Sequence, residues 1–158
     1  MDQKPGNASS LQVVRILWGA FFATQFIHLF VLFSTAQAGE APASAAEIRS
    51  LFFMLGPAAA FSLVLAIFLP PRIGRQVMSK RPNGPGSLAS IPESELVQLV
   101  LSPFIVRIAF IESICTFGLV GAFMTREPRF IFPFLTVSIV AFLRTIPTRE
   151  RLEALFGR

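Results

Sequence analysis

Four stretches of this chain, residues 16–34, 51–69, 104–124 and 130–146, each run for 17 to 21 residues almost without charge. Of the 14 basic and nine acidic side chains among the 158 residues, only Arg107, Glu112 and Arg144 fall inside them. A hydrocarbon core about 30 Å thick is crossed by about 20 helical residues, so each stretch has the length of one crossing. Membrane strands would alternate in hydrophobicity. The runs Leu51-Phe52-Phe53-Met54-Leu55 and Ser62-Leu63-Val64-Leu65-Ala66-Ile67-Phe68-Leu69 do not. With no water to pair their backbone groups, such runs fold as helices. The chain therefore reads as an all-α integral membrane protein, a four-helix bundle of two hairpins in a single domain. The expected helices are about 11–34, 50–69, 96–124 and 130–146, with a polar loop over 70–95. A soluble enzyme core, a disordered tail and a disulfide scaffold are ruled out.

The net charge of +5 is a sorting signal and not a nucleic-acid signature. Nine basic residues (Lys4, Arg15, Arg72, Arg75, Lys80, Arg81, Arg149, Arg151 and Arg158) flank the segments on one side, and three (Arg49, Arg126 and Arg129) on the other. The positive-inside rule puts both termini and the 70–95 loop in the cytoplasm, giving a multi-pass protein of the cell inner membrane. Ala36-Gln37-Ala38 after the first segment is similar to a signal-peptidase site; the apolar run before it, residues 16–33, exceeds the usual 7–15 residues of a secretory signal. The segment is read as a retained helix, and cleavage would leave three.

Local signals mark the ends. Ser44-Ala45-Ala46-Glu47 has the form of a capping box opening the second helix. Pro57 lies inside that helix and Pro70-Pro71 is its expected stop. Arg81-Pro82-Asn83-Gly84-Pro85-Gly86 reads as a turn. Pro92, Glu93 and Glu95 suit a helix N-terminus, so the third helix could begin as early as Glu93 and bend at Pro103. The tail 148–158, with Leu152, Leu155 and Phe156 on one face, suits a short surface helix. A repeat at an offset of 76 sets Pro57, Ser62, Val64, Pro71 and Arg75 against Pro133, Ser138, Val140, Pro147 and Arg151.

Glu112 is the one acidic residue in any of the four segments. It is the ninth residue of 104–124, about 12–13 Å into the core. An ionisable group at that depth is expensive and marks a functional site by default. Gln25 lies at nearly the same depth in the first segment, so a Gln25–Glu112 hydrogen bond would satisfy both. His28 is one turn further along, as a packed neutral side chain or a proton relay. Ser113 and Thr116 add hydroxyls near Glu112. Gly118, Gly121 and Ala122 have the small-residue spacing of close helix packing. Arg107 and Arg144 lie near the cytoplasmic ends of their helices and can snorkel; with Arg15 and Arg72 they form a belt for anionic lipid headgroups. Cys115 is a small packing residue. No metal set, cofactor site or nucleophile–base pair is recognisable, so no enzyme is expected.

The stretch Arg107–Phe123 resembles the ion-binding helix of the rotary ATP synthase proteolipids, the subunit c family. That helix carries a mid-membrane acid followed six residues later by Gly-Leu-Val, here Gly118-Leu119-Val120. The family's polar loop, with Arg and Pro, is similar to Arg81-Pro82-Asn83. The family's regular glycines are missing from the first two helices. The resemblance implies that Glu112 carries a proton or sodium ion, with Ser113 and Gln25 as further ligands, in a homo-oligomer or with other membrane subunits. The other reading of the same residues is a non-catalytic structural or accessory subunit of a membrane complex, in which Glu112 holds helices together.

Overall fold

Long runs of Leu, Ile, Phe, Val and Ala without turn residues leave the backbone no alternative to helix, and the computed structural model is helical over nearly everything it describes, residues 10–35, 43–79, 93–148 and 150–151. The elements are α1 (Ser10–Thr35), α2 (Ala45–Ser79), α3 (Glu93–Thr125), a 3₁₀ turn (Pro128–Phe130) and α4 (Ile131–Arg144). The signal-peptidase-like Ala36-Gln37-Ala38, the turn 81–86 and most of the tail 148–158 lie outside the described residues.

Three helices, α1, α2 and α3, are long and apolar enough to cross a membrane. The fourth is shorter than its apolar stretch suggests. Pro128 and Pro133 crowd its start, and residues 128–130 wind as a 3₁₀ turn before 14 residues of α-helix. Together they rise about 27 Å, just under the hydrocarbon thickness of about 30 Å. The outer surface agrees with a membrane protein. Phe30, Phe53, Met54 and Phe61 are all more than 60% exposed, and α1 is apolar on its buried and exposed faces alike, a composition suited to lipid and not to water.

α3 is the central element and packs against every other helix. Gly121 and Gly118 meet Phe130 and Phe134, and Ile111 meets Ser138, so α4 returns antiparallel to α3. α2 is also antiparallel, from Ala43 N–H donating to Thr125 O at one end to Arg107 reaching Ala66 at the other. α1 runs parallel to α3. The start of α2 is the capping box read from the sequence: Ser44 N–H donates to Glu47 Oε2 (2.8 Å) and Glu47 N–H to Ser44 Oγ (3.3 Å).

The end of α2 is a departure. The helix does not stop at Pro70-Pro71 but continues to Ser79. A proline in a helix leaves the carbonyl four residues earlier without its donor; for Pro70 that carbonyl is Ala66 O. Arg107 Nε on α3 donates to it at 3.2 Å. Further along, Arg75 Nε donates to Pro71 O. Arg107 thus restores the acceptor that Pro70 left open, and α2 passes through both prolines.

The core has two apolar halves. Val14, Ala66, Val100, Phe104, Ile108, Ile111 and Phe142 belong to one, and Leu32, Ala59, Ile114, Cys115, Ile131, Phe134 and Leu135 to the other. Between them on each helix lies a polar residue: Gln25 on α1, Ser62 on α2, Glu112 on α3 and Ser138 on α4.

At Gly118 and Gly121, α3 packs tightly on α4 and the 3₁₀ turn before it. A Cβ at Gly118 would lie 2.7 Å from Phe134 Cβ, and one at Gly121 inside the Phe130 ring, whereas one at Gly19 would meet nothing within 4 Å. Gly118→Ala should therefore lose about 1–3 kcal/mol by overpacking. Gly19→Ala should be neutral or gain up to about 1 kcal/mol of helix propensity. Thermal unfolding of the two variants in detergent measures both.

Candidate functional site

Thr24, Gln25 and His28 occupy positions i, i+1 and i+4 of α1, and side chains at such spacing share one helix face. That face lies against α3 at Glu112. Gln25 Nε2 donates to Glu112 Oε2. Thr24 Oγ1 lies 2.6 Å from Glu112 Oε1. His28 Nδ1 lies 3.6 Å from the same Oε1, too far for a hydrogen bond but within ion-pair range.

Burial is graded across the cluster. Gln25 is completely buried, while the side chains of His28 and Glu112 are 20% and 17% exposed. Gln25 is thus the inner wall, and the carboxyl and imidazole sit at the rim. Two buried polar atoms, Gln25 Oε1 and His28 Nδ1, have no hydrogen-bond partner. Such atoms are costly, so the cluster retains capacity for one more donor or proton.

The Thr24 hydroxyl is doubly engaged. It lies 2.6 Å from Phe21 O as well as 2.6 Å from Glu112 Oε1. A hydroxyl owns one proton, and a carbonyl owns none. With Glu112 ionised, Thr24 donates to the carboxylate. With Glu112 neutral, its own O–H donates to Thr24, which turns its proton to Phe21 O. One rotating hydroxyl therefore serves both protonation states.

The other sequence candidates lie elsewhere. Ser113 Oγ donates to Phe110 O (2.8 Å) and Thr116 Oγ1 to Glu112 O (3.2 Å), both backbone carbonyls of α3 itself, the usual resting place of a helical hydroxyl. Neither is brought to the carboxyl. Gly118, Gly121 and Ala122 are buried on the α4 side. Arg107 and Arg144 line one cavity between α2 and α4, while Arg15 and Arg72 are exposed on α1 and α2. Trp18 Nε1 donates to Phe142 O near the end of α4 (3.1 Å) and its ring stacks on Phe22. Among the described residues no three His, Cys, Asp or Glu side chains gather as a metal site.

Sequence reasoning missed Thr24. The available signal was its position beside Gln25 and one turn before His28, the one run of polar residues inside the first apolar segment. No protein-family model matches this chain, and neither does any curated protein or solved structure.

The cluster assigns unequal weights to its members. Gln25→Leu keeps the volume but removes the donor to a carboxyl, and should lower stability by about 1.5–3 kcal/mol. Ser113→Ala and Thr116→Val, which touch only carbonyls of their own helix, should stay within about 0.5 kcal/mol. Unfolding midpoints in one detergent rank the three.

Proposed function

We propose that Glu112, with Thr24, Gln25 and His28, forms a proton-binding site in a multi-pass protein of the cell inner membrane, with α4 and its 3₁₀ turn as the fourth crossing and both termini in the cytoplasm. The observation that carries the reading is the placement of the single Thr24 proton between two acceptors 2.6 Å away. A site that holds its hydrogen bonds in either protonation state can load and unload a proton without moving a helix. His28 Nδ1, buried and unpartnered beside the same oxygen, is the next acceptor on the way in or out. A proton fits better than sodium, because the Gln25 amide presents N–H and not oxygen to the carboxyl. The subunit c-like stretch 107–123 points the same way, with Thr24 and His28 in place of Ser113 and Thr116 as neighbours of the acid.

A second reading rests on the same hydrogen bonds. Glu112 accepts from two side chains of α1 and so fastens α1 to α3, which is the work of a buried polar pair in a structural subunit of a membrane assembly.

Glu112→Gln separates the two. Infrared difference spectra of the protein in lipid vesicles, recorded from acid to alkaline pH, should show a carboxylic-acid C=O band that titrates and that the variant lacks. Carbodiimide should label Glu112 in the wild type, as read by peptide mass. A protein whose carboxyl band does not respond to pH, or whose unfolding midpoint collapses in Glu112→Gln with no titrating band in the wild type, has the structural role.

A further inference from the structure

Between α2 and α4 runs a cleft floored by α3. Its two halves are cavities of about 430 and 420 Å³. Leu63 and Val137 line both, so the halves adjoin at these two residues. One half is walled by apolar residues alone, with the repeat pair Pro57 and Pro133 on its two sides. The other half holds Arg107 and Arg144. Among the described residues no acidic side chain lines either half. Arg107 gives its Nε to Ala66 O and also lines this cavity beside Arg144. An unmatched guanidinium pair at one end of an apolar trough is a strong demand for an anion joined to a hydrocarbon tail.

We infer that this cleft is a binding site for one phospholipid with a net negative headgroup, its phosphate between Arg107 and Arg144 and one acyl chain along the trough past Val137 to Pro57. Planar guanidinium groups bind phosphate through paired N–H donors. The α2 residues that line the cleft, from Phe52 to Ile67, cover about 22 Å of helix. That exceeds the half-thickness of a hydrocarbon core of about 30 Å, enough for a single chain in one leaflet with its phosphate at the end. A second copy of this chain fits less well. Its apolar helices match the trough, but the only acidic side chain in its four apolar stretches is Glu112, already engaged by Thr24 and Gln25, so the arginine end would stay unmatched. The site is separate from Glu112 and stands whether or not that carboxyl titrates.

The test is native mass spectrometry of the protein released from vesicles of phosphatidylglycerol and phosphatidylcholine in equal parts with the same chains. The wild type should retain one phosphatidylglycerol in preference to phosphatidylcholine. Arg144→Gln should reduce that preference about tenfold, the effect of one charge-assisted contact. Val137→Trp, which fills the join between the two halves, should abolish retention of both lipids. Both positions are exposed, so the fold tolerates the changes; Arg107 is left intact because it also closes the Ala66 carbonyl. Excess inorganic phosphate should not displace the lipid. Equal retention of the two lipids by the wild type, or a preference unchanged in both variants, overturns the proposal. So does displacement by phosphate alone, which marks a free-anion site, or a dimer that carries no lipid and that Val137→Trp dissolves.

Discussion

A carboxyl group surrounded by Ile, Phe and Leu must find its hydrogen bonds within reach, and this requirement sets how α1 lies on α3. Glu112 is met by three side chains from one turn of α1, and the pairing aligns the two helices in parallel with their apolar residues sorted above and below it. On one side lie Val14, Val100 and Phe104, and on the other Leu32, Ile114 and Cys115. Ser62 and Ser138 continue the polar level on α2 and α4. Hydrogen bonds at this level fix the register of α1 and α4 on α3, through Gln25 and Thr24 on Glu112 and through Ser138 on Ile111 O.

The same rule governs the backbone. In an apolar setting each carbonyl deprived of its helical N–H needs another donor. Pro70 creates one such carbonyl, Ala66 O, and Arg107 supplies the donor from α3. The arginine therefore stands at two places at once: its Nε joins α2 to α3, and its side chain lines the α2–α4 cleft. The contact supplies the donor that Pro70 removed, within a helix that runs on for 35 residues.

The all-helical architecture and the capping box at Ser44 were legible in the sequence, because apolar length and local hydrogen-bond chemistry decide them. The Gln25–Glu112 contact was legible too, since both residues stand at the same depth in their segments. Thr24 was not, because which side chain meets a carboxyl depends on the rotation of α1 about its axis, and a helix apolar on all sides carries no periodicity that reveals it. The run of α2 through Pro70-Pro71 was hidden for a related reason: the donor that replaces the lost backbone group comes from a residue 41 positions away. The pairing of Ser62 with Ser138 and of Pro57 with Pro133 stood in the sequence as a repeat, but their use, as part of a polar level and as two walls of one cavity, is a matter of tertiary placement.

The parallel arrangement of α1 and α3 bears on how the chain is made. Gln25 and Glu112 are 87 residues apart, and the whole of α2 with the polar loop after it is synthesised between them. The three polar side chains of α1 are therefore made before their partner exists. Until α3 exists the Gln25 amide N–H has no carboxyl to meet, and once it does the amide and the carboxyl are satisfied together. The α1–α3 pairing therefore waits until α2 has been made, and it joins the Gln25 amide to a carboxyl that lies on a helix two elements later.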